Sequence, residues 1–280
     1  MILGLGLLLG ASWLVGNEMV WRRTNPAIAA AQAPAEDFSL TTPDGMKLMA
    51  TYRSGKKADS PGILILHGIY NSRQQVAENA AWLAARGFAV LTIDFRGHGQ
   101  SSDAPHTYGL DESIDAQTAF DWLKKRQNGA PVGIIGISLG GAASLLGANG
   151  PVAADALVLQ AVFPDIRRAI RNRIEAHLPG TAFGLEPLLS FQALPRFGVW
   201  PGRLSPVKAI GLYKHPVLII GGQEDRYTPP DETREMFDAA GEPKTILFMA
   251  GMNHPQVAAA KSEDYRQKIL AFFTSALGAP

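Results

Sequence analysis

The sequence predicts an α/β fold: a mostly parallel, eight-stranded sheet flanked by helices, with a small lid inserted late in the chain. Three observations carry this. From Phe38 onward, short apolar runs rich in β-branched residues alternate with helical patterns, as expected of strands covered by helices on both faces. One run, Val132 to Ile135, leads into Gly136-Ile137-Ser138-Leu139-Gly140 and then Gly141, Ala142 and Ala143, the pattern of a strand turning sharply into a helix. The stretch from Pro164 to Lys214 is far longer than one crossover needs.

Taken in order, Phe38–Thr41 and Lys47–Tyr52 flank Pro43-Asp44-Gly45, so an antiparallel hairpin opens the domain. Ile63–Leu66 reads as a buried strand, Val76–Ala85 as a helix stopped by Gly87, and Phe88–Ile93 as the next strand. A helix over Glu112–Arg126 aligns Ile114, Thr118 and Trp122 on one stripe. The strand Val132–Ile137, its helix, and strands at Ala156–Val162 and Val217–Ile220 follow. A helix at Asp231–Ala239, a strand at Thr245–Met249 and a helix at Asp264–Ala276 close the chain.

The interruption, at about residues 165–214, begins with a helical pattern over Asp165–Leu178 that puts Ile166, Ile170 and Ile174 on one face and Arg167, Arg168, Arg171 and Arg173 mostly on the others. The rest reads as loop rich in Pro, Gly and large apolar groups such as Phe183, Phe191 and Trp200. So many exposed aromatics would be a liability, which argues for a lid over the carboxyl ends of the strands, where ligands bind in such sheets. The arginines read as the solvated face of an amphipathic helix, with attraction of an anionic head group as the alternative.

Hydrophobic content of 46% with 18% charged residues describes a packed globular chain rather than a disordered one. A net charge of +1 with no basic tract gives no field for nucleic acid. The absence of cysteine excludes disulfides, a thiol nucleophile and thiolate metal sites. Residues 1–23 are expected to form a membrane anchor: Met1–Gly16 carries no charge, and the apolar run to Trp21 approaches bilayer-spanning length. Arg22 and Arg23 would then place the catalytic domain in the cytoplasm. A signal segment with export of the domain is the alternative, although no Lys or Arg precedes the apolar run. Residues 24–37, rich in Ala and Pro, read as a linker to a domain over 38–280. Oligomeric state is not legible.

The chemistry centres on Ser138. In G-x-S-x-G the serine sits on a tight turn whose flanking glycines have no room for a Cβ, which lifts its hydroxyl towards a base. That hydroxyl needs a base within hydrogen-bond reach and an acid to orient the base. Asp225, at the tip of Val217–Asp225, is the candidate acid, and Glu224 points elsewhere. His254, in Gly251-Met252-Asn253-His254-Pro255 after the last strand, is the candidate base; His98, His106, His177 and His215 lack such a placement. An oxyanion hole needs two backbone N–H groups. Leu139, following the nucleophile, supplies one and Ile69, in His67-Gly68-Ile69-Tyr70-Asn71, the other, with the Tyr70 hydroxyl or the Asn71 amide as a possible third donor. His67 is assigned to shaping this loop, and Asp94-Phe95-Arg96-Gly97-His98-Gly99-Gln100-Ser101 to a tight structural turn.

Together, H-G after a strand, D-x-R-G-H-G-x-S, G-x-S-x-G-G, G-x-x-D and a late loop histidine resemble the α/β-hydrolase superfamily over Phe38–Leu277. The lid, hairpin and N-terminal segment resemble its serine-hydrolase branch, which includes serine-aminopeptidase-like and BEM46-like proteins. The resemblance implies a serine hydrolase cleaving a carboxylic ester of a small acyl substrate through a Ser138–His254–Asp225 triad and an acyl-enzyme, with no metal or organic cofactor. The same triad serves amidases, peptidases, thioesterases and acyltransferases, and a non-catalytic membrane-associated binding protein is the distant alternative.

Overall fold

A computed structural model describes residues 2–23, 28–31 and 34–280, with side chains from residue 6 onward. Eight strands form one sheet: β1 (Ala35–Thr41), β2 (Lys47–Arg53), β3 (Gly62–Leu66), β4 (Ala89–Ile93), β5 (Val132–Ile137), β6 (Ala156–Gln160), β7 (Val217–Gly222) and β8 (Lys244–Met249). Their order is β1-β2-β4-β3-β5-β6-β7-β8. Only β2 opposes the rest, pairing antiparallel with β1 and β4. The six strands from β3 to β8 are mutually parallel.

These parallel strands are buried throughout from β3 to β7, which explains their unbroken apolar composition. Alternate residues feed opposite cores. Leu64 and Leu66 join Ala116, Ala119, Phe120 and Leu123 of α3 (Glu112–Arg126) on one face. Ile63 and Ile65 join Ala80 and Leu83 of α2 (Ala77–Ala84) and Ile269 and Phe273 on the other, these last two from the closing helix at Glu263–Leu277. The chain leaves β3 for β4 on one side and returns to β5 on the other. That reversal opens a crevice beyond the carboxyl ends of β3 and β5, the place where such sheets bind ligands.

Between β6 and β7 the inserted segment covers this crevice. It consists of α5 (Ile166–His177), α6 (Ala182–Ser190), α7 (Ala193–Phe197) and α8 (Pro206–Ile210), with a 3-10 turn at Pro201–Arg203. The part expected to be loop is therefore mostly helical. Pro187 lies inside α6 and Pro206 opens α8, so prolines that read as breakers punctuate short helices instead. Ile166, Ala169 and Ile170 pack with Phe163, Ala193 and Leu204 in a third core beneath the lid.

The N-terminal segment departs from its sequence reading. It is a helix, α1 (Ile2–Trp21), but among the described residues no helix is long and apolar enough to cross a membrane. Its C-terminal half docks on the domain. Gln192 Nε2 donates to the Ser12 carbonyl at 3.0 Å and Arg196 to the Trp13 carbonyl at 2.9 Å and the Asn17 amide oxygen at 2.7 Å. The His106 N–H donates to the Val20 carbonyl at 2.8 Å, and Val20 is buried. The expected anchor is thus a helix held by polar bonds to lid and loop. The orientation drawn from Arg22 and Arg23 loses its basis, and Arg23 pairs with Asp103 at 2.8 Å. Residues 24–27 and 32–33 of the expected linker lie outside the described residues, and β1 begins within that linker, at Ala35.

The closing helix holds the sheet through Phe273. Its ring fills the space where Gly133 of β5 lacks a Cβ, and it is fully buried. Phe273→Ala is expected to cost ~3–5 kcal/mol, read as a lowered urea midpoint; a change under about 1 kcal/mol would show that β5 does not depend on this contact.

Candidate active site

Ser138 follows β5 and caps α4 (Leu139–Leu145) with φ 48° and ψ −105°, a left-handed turn held against its strain by the surrounding fold. A Cβ on Gly136 would come within 2.5 Å of the Gly141 Cα, and one on Gly140 would collide with the Leu66 carbonyl. Both glycines are therefore required by close approach. The Ser138 N–H donates to the Gln160 carbonyl at 2.8 Å, fixing the turn to the neighbouring strand.

Ile69 follows β3, whose Leu66 pairs with Gly136, so the two expected oxyanion donors rise from adjacent strand ends. The Ile69 and Leu139 N–H groups find no backbone acceptor among the described residues, and both residues line the cavity that Ser138 enters. His67 shapes this loop as expected: its Nδ1 lies 2.7 Å from the Gly68 carbonyl, and its Nε2 accepts from the Phe95 N–H at 3.1 Å. The Tyr70 hydroxyl is engaged elsewhere, donating to the Met19 carbonyl at 2.7 Å, and Asn71 is exposed. Neither supports a third donor.

The Asp94–Ser101 turn is structural. Buried Asp94 accepts from the Arg73 N–H at 2.7 Å, from the Arg73 guanidinium, and from the Gln100 N–H at 3.0 Å. Arg96 binds Asp115 through Nε at 2.9 Å and Nη2 at 2.7 Å.

Asp225 and His254 meet after β7 and β8. His254 Nδ1 lies 2.8 Å from Asp225 Oδ2. The carboxylate is fully held: Oδ1 accepts the Tyr227 and Thr228 N–H groups at 2.8 and 2.9 Å, and Oδ2 accepts the Thr228 hydroxyl at 2.6 Å. Burial alone would raise the Asp225 pKa, but the bonds from His254 and Thr228 outweigh it and hold the group below the usual carboxylate range. Thr228 was not singled out by the sequence; as an ordinary Thr before Pro229-Pro230 it carried no signal of its bond to the acid. His254 opens α10 (His254–Ala258), where Asn253 and Gln256 form a reciprocal capping box that sets the loop.

Two cavities meet here. Ser138, Ile69 and Leu139 open onto an apolar cavity of about 400 Å3, walled by Ile166, Ile170 and Ile174 of the lid and by Val15 and Met19 of α1. Asp225 and His254 line a more open, more polar cleft of about 760 Å3. His177 of the lid lines both. No hydrogen bond joins Ser138 to His254 among the described residues, so the candidate nucleophile and base stand in adjoining spaces.

These observations decide the fold. This chain has the α/β-hydrolase fold and is similar in sequence to members of that superfamily. Residues 60–184 match the family described as serine aminopeptidase, S33, a span that includes Ile69, Ser138 and Leu139 and ends before Asp225 and His254. The Bacillus subtilis protein YqkD is 29% identical over 220 residues, covering 76% of this chain and 72% of that one. The zebrafish (Danio rerio) lysophosphatidylserine lipase ABHD12 is 26% identical over 240 residues, covering 82% of this chain and 57% of the lipase. Among solved structures, the Pyrococcus furiosus esterase Pf2001 superposes with a TM-score of 0.69 at 20% identity, covering 91% of this chain and 98% of the esterase.

The lid is tied to the His254 side through Asn172, whose Nδ2 donates to Glu232 Oε1 at 2.8 Å and to the Tyr227 carbonyl at 3.2 Å. Glu232 lies in the first turn of α9 (Pro230–Ala239). Burial raises its pKa to about 7, and its Oε2 has no partner among the described residues. Because the folded value exceeds the unfolded one, the contribution of Glu232 is complete below about pH 4.5 and is lost as pH rises through 7. Glu232→Gln should therefore gain in melting temperature relative to wild type as pH is raised from 5 to 8; a difference constant across that range would refute the assignment.

Proposed function

We propose that this chain is a serine esterase in which Ser138, His254 and Asp225 act as a triad and Ile69 and Leu139 form the oxyanion hole. The observation that carries this reading is the Asp225–His254 pair at 2.8 Å, beside a cavity whose mouth holds a strained serine and two unpaired backbone donors. With Nδ1–H directed at Asp225, Nε2 is left free to accept a proton. A substrate that brings the acyl carbon to Ser138 spans the step between the two cavities, and apo geometry in such sites is commonly looser than in the substrate complex.

His254 takes the proton of Ser138 as Oγ bonds to the ester carbonyl carbon, and the Ile69 and Leu139 N–H groups stabilise the resulting oxyanion. As the tetrahedral species collapses, the bond to the alcohol breaks and His254 returns the proton to it. Water then attacks the acyl-serine with His254 again as base, releasing the acid and restoring Ser138. The apolar cavity suits the acyl chain, and the more polar cleft beside His254 suits the departing alcohol.

The test is a p-nitrophenyl ester series from acetate to palmitate with the full chain, together with Ser138→Ala and His254→Ala. Each variant is expected to lose about 10^3-fold or more in kcat/KM, and fluorophosphonate should label wild type but not Ser138→Ala. Turnover near wild type in either variant overturns the triad. Labelling of Ser138 without turnover of any simple ester would move the reading to an amide, thioester or acyl-transfer substrate.

A further inference from the structure

The four lid arginines on α5 do not share one role. Arg167 binds Glu186 through Nε at 2.8 Å and Nη2 at 2.9 Å. Arg168 binds Asp165 at 2.6 Å and also Glu235, and Arg171 lies 3.8 Å from Glu186. Arg173 has no carboxylate partner among the described residues: its Nη1 donates back to the Ala169 carbonyl at 3.0 Å, and its guanidinium lies 4.9 Å from the centre of the Tyr227 ring.

Its surroundings make this unpaired charge costly. Arg173 lines the same cavity as Ser138, between the apolar Ile170 and Ile174. Burial lowers its pKa, opposed by Tyr108, Tyr227, Tyr70 and Asp225, none of which forms an ion pair with it. An arginine nevertheless stays protonated, so the cavity holds a cation whose hydration is largely removed and whose counter-charge is not supplied by the protein. Tyr227 also packs against His254, with ring centres 5.5 Å apart, which sets the guanidinium one aromatic ring from the base.

We propose that Arg173 binds an anionic oxygen group of the substrate, a carboxylate or phosphate carried on an apolar chain, and so selects anionic esters over neutral ones. This rests on the esterase reading for its catalytic consequence, but the binding site itself does not. Such a group would accept from the guanidinium N–H groups that have no acceptor among the described residues, a charge-assisted contact, while the chain fills the space lined by Ile166, Ile170 and Met19. The other three arginines each lie within 4 Å of a carboxylate and none of them lines this cavity.

Binding is tested first without catalysis, in the full-length Ser138→Ala protein, by thermal shift with octanoate, octyl phosphate and octanol at equal concentration. Both anions, or one of them, should stabilise the protein more than octanol does, and the excess should disappear when Arg173→Met is added and return in part with Arg173→Lys. The larger of the two anion shifts assigns the site to carboxylate or to phosphate. Equal shifts for all three probes, or an anion excess that survives Arg173→Met, overturns the proposal. Catalysis is read with p-nitrophenyl hydrogen suberate against its methyl-capped ester: the anionic-to-neutral ratio of kcat/KM should exceed about tenfold in wild type and fall towards one in Arg173→Met. An unchanged ratio overturns the selectivity, whereas anion binding in a protein that turns over neither ester and resists fluorophosphonate overturns the esterase reading and leaves the anion site standing.

Discussion

The site is organised by one close approach, that of the α4 N-terminus to the end of β3. Gly140 lies so near the Leu66 carbonyl, and Gly136 so near Gly141, that no side chain fits at either glycine. This contact places the first turn of α4 directly against the strand from which the Ile69 loop departs. Ser138 and the Ile69 and Leu139 N–H groups are therefore set by one backbone arrangement, reinforced by the Leu66–Gly136 register. The left-handed conformation of Ser138 costs on the order of 1–3 kcal/mol and persists because β5, fully buried and bonded on both sides, does not yield to it.

The base-bearing half is built by different means. Asp225 and His254 sit on loops, and their positions depend on side-chain and capping bonds rather than on strand packing. Four donors converge on Asp225, and the Asn253–Gln256 box fixes the entry to α10. Asn172 then links this region to the lid, so that α5 bears on both halves: its isoleucines wall the Ser138 cavity, and its asparagine reaches Tyr227 and Glu232. Movement of α5 would alter the acyl cavity and the base loop together.

The central strands β3 to β7 were legible because they are buried on both faces and so read as unbroken apolar runs; the bounds of α3 coincide with the sequence reading, but its buried face runs through Ala116, Ala119, Phe120 and Leu123 rather than Ile114, Thr118 and Trp122. Ser138, Asp225, His254, Ile69 and Leu139 could be named as candidates because turns at strand ends demand glycine and because triad chemistry on such a sheet follows a chain order. What was not legible depended on tertiary partners. Thr228 acquires its meaning only from the carboxylate beside it. The short lid helices are set by packing on the third core rather than by periodicity. The N-terminal helix was read from hydropathy alone, which does not register that the Ser12, Trp13, Met19 and Val20 carbonyls accept bonds from the domain.

That last point changes what the N-terminal helix does for the site. Val15 and Met19 form part of the wall of the Ser138 cavity, and the Met19 carbonyl accepts from both Tyr70 and Tyr108, at 2.7 and 3.2 Å. Tyr70 directly follows Ile69, so the helix also braces the oxyanion loop. Removing it would strip an apolar wall and leave two tyrosine hydroxyls without their acceptor, at a cost of about 1–3 kcal/mol for a polar group that stays buried. The Ser138 cavity is thus assembled from the strand ends, the lid and the first helix together, and each contributes a part that the other two do not replace.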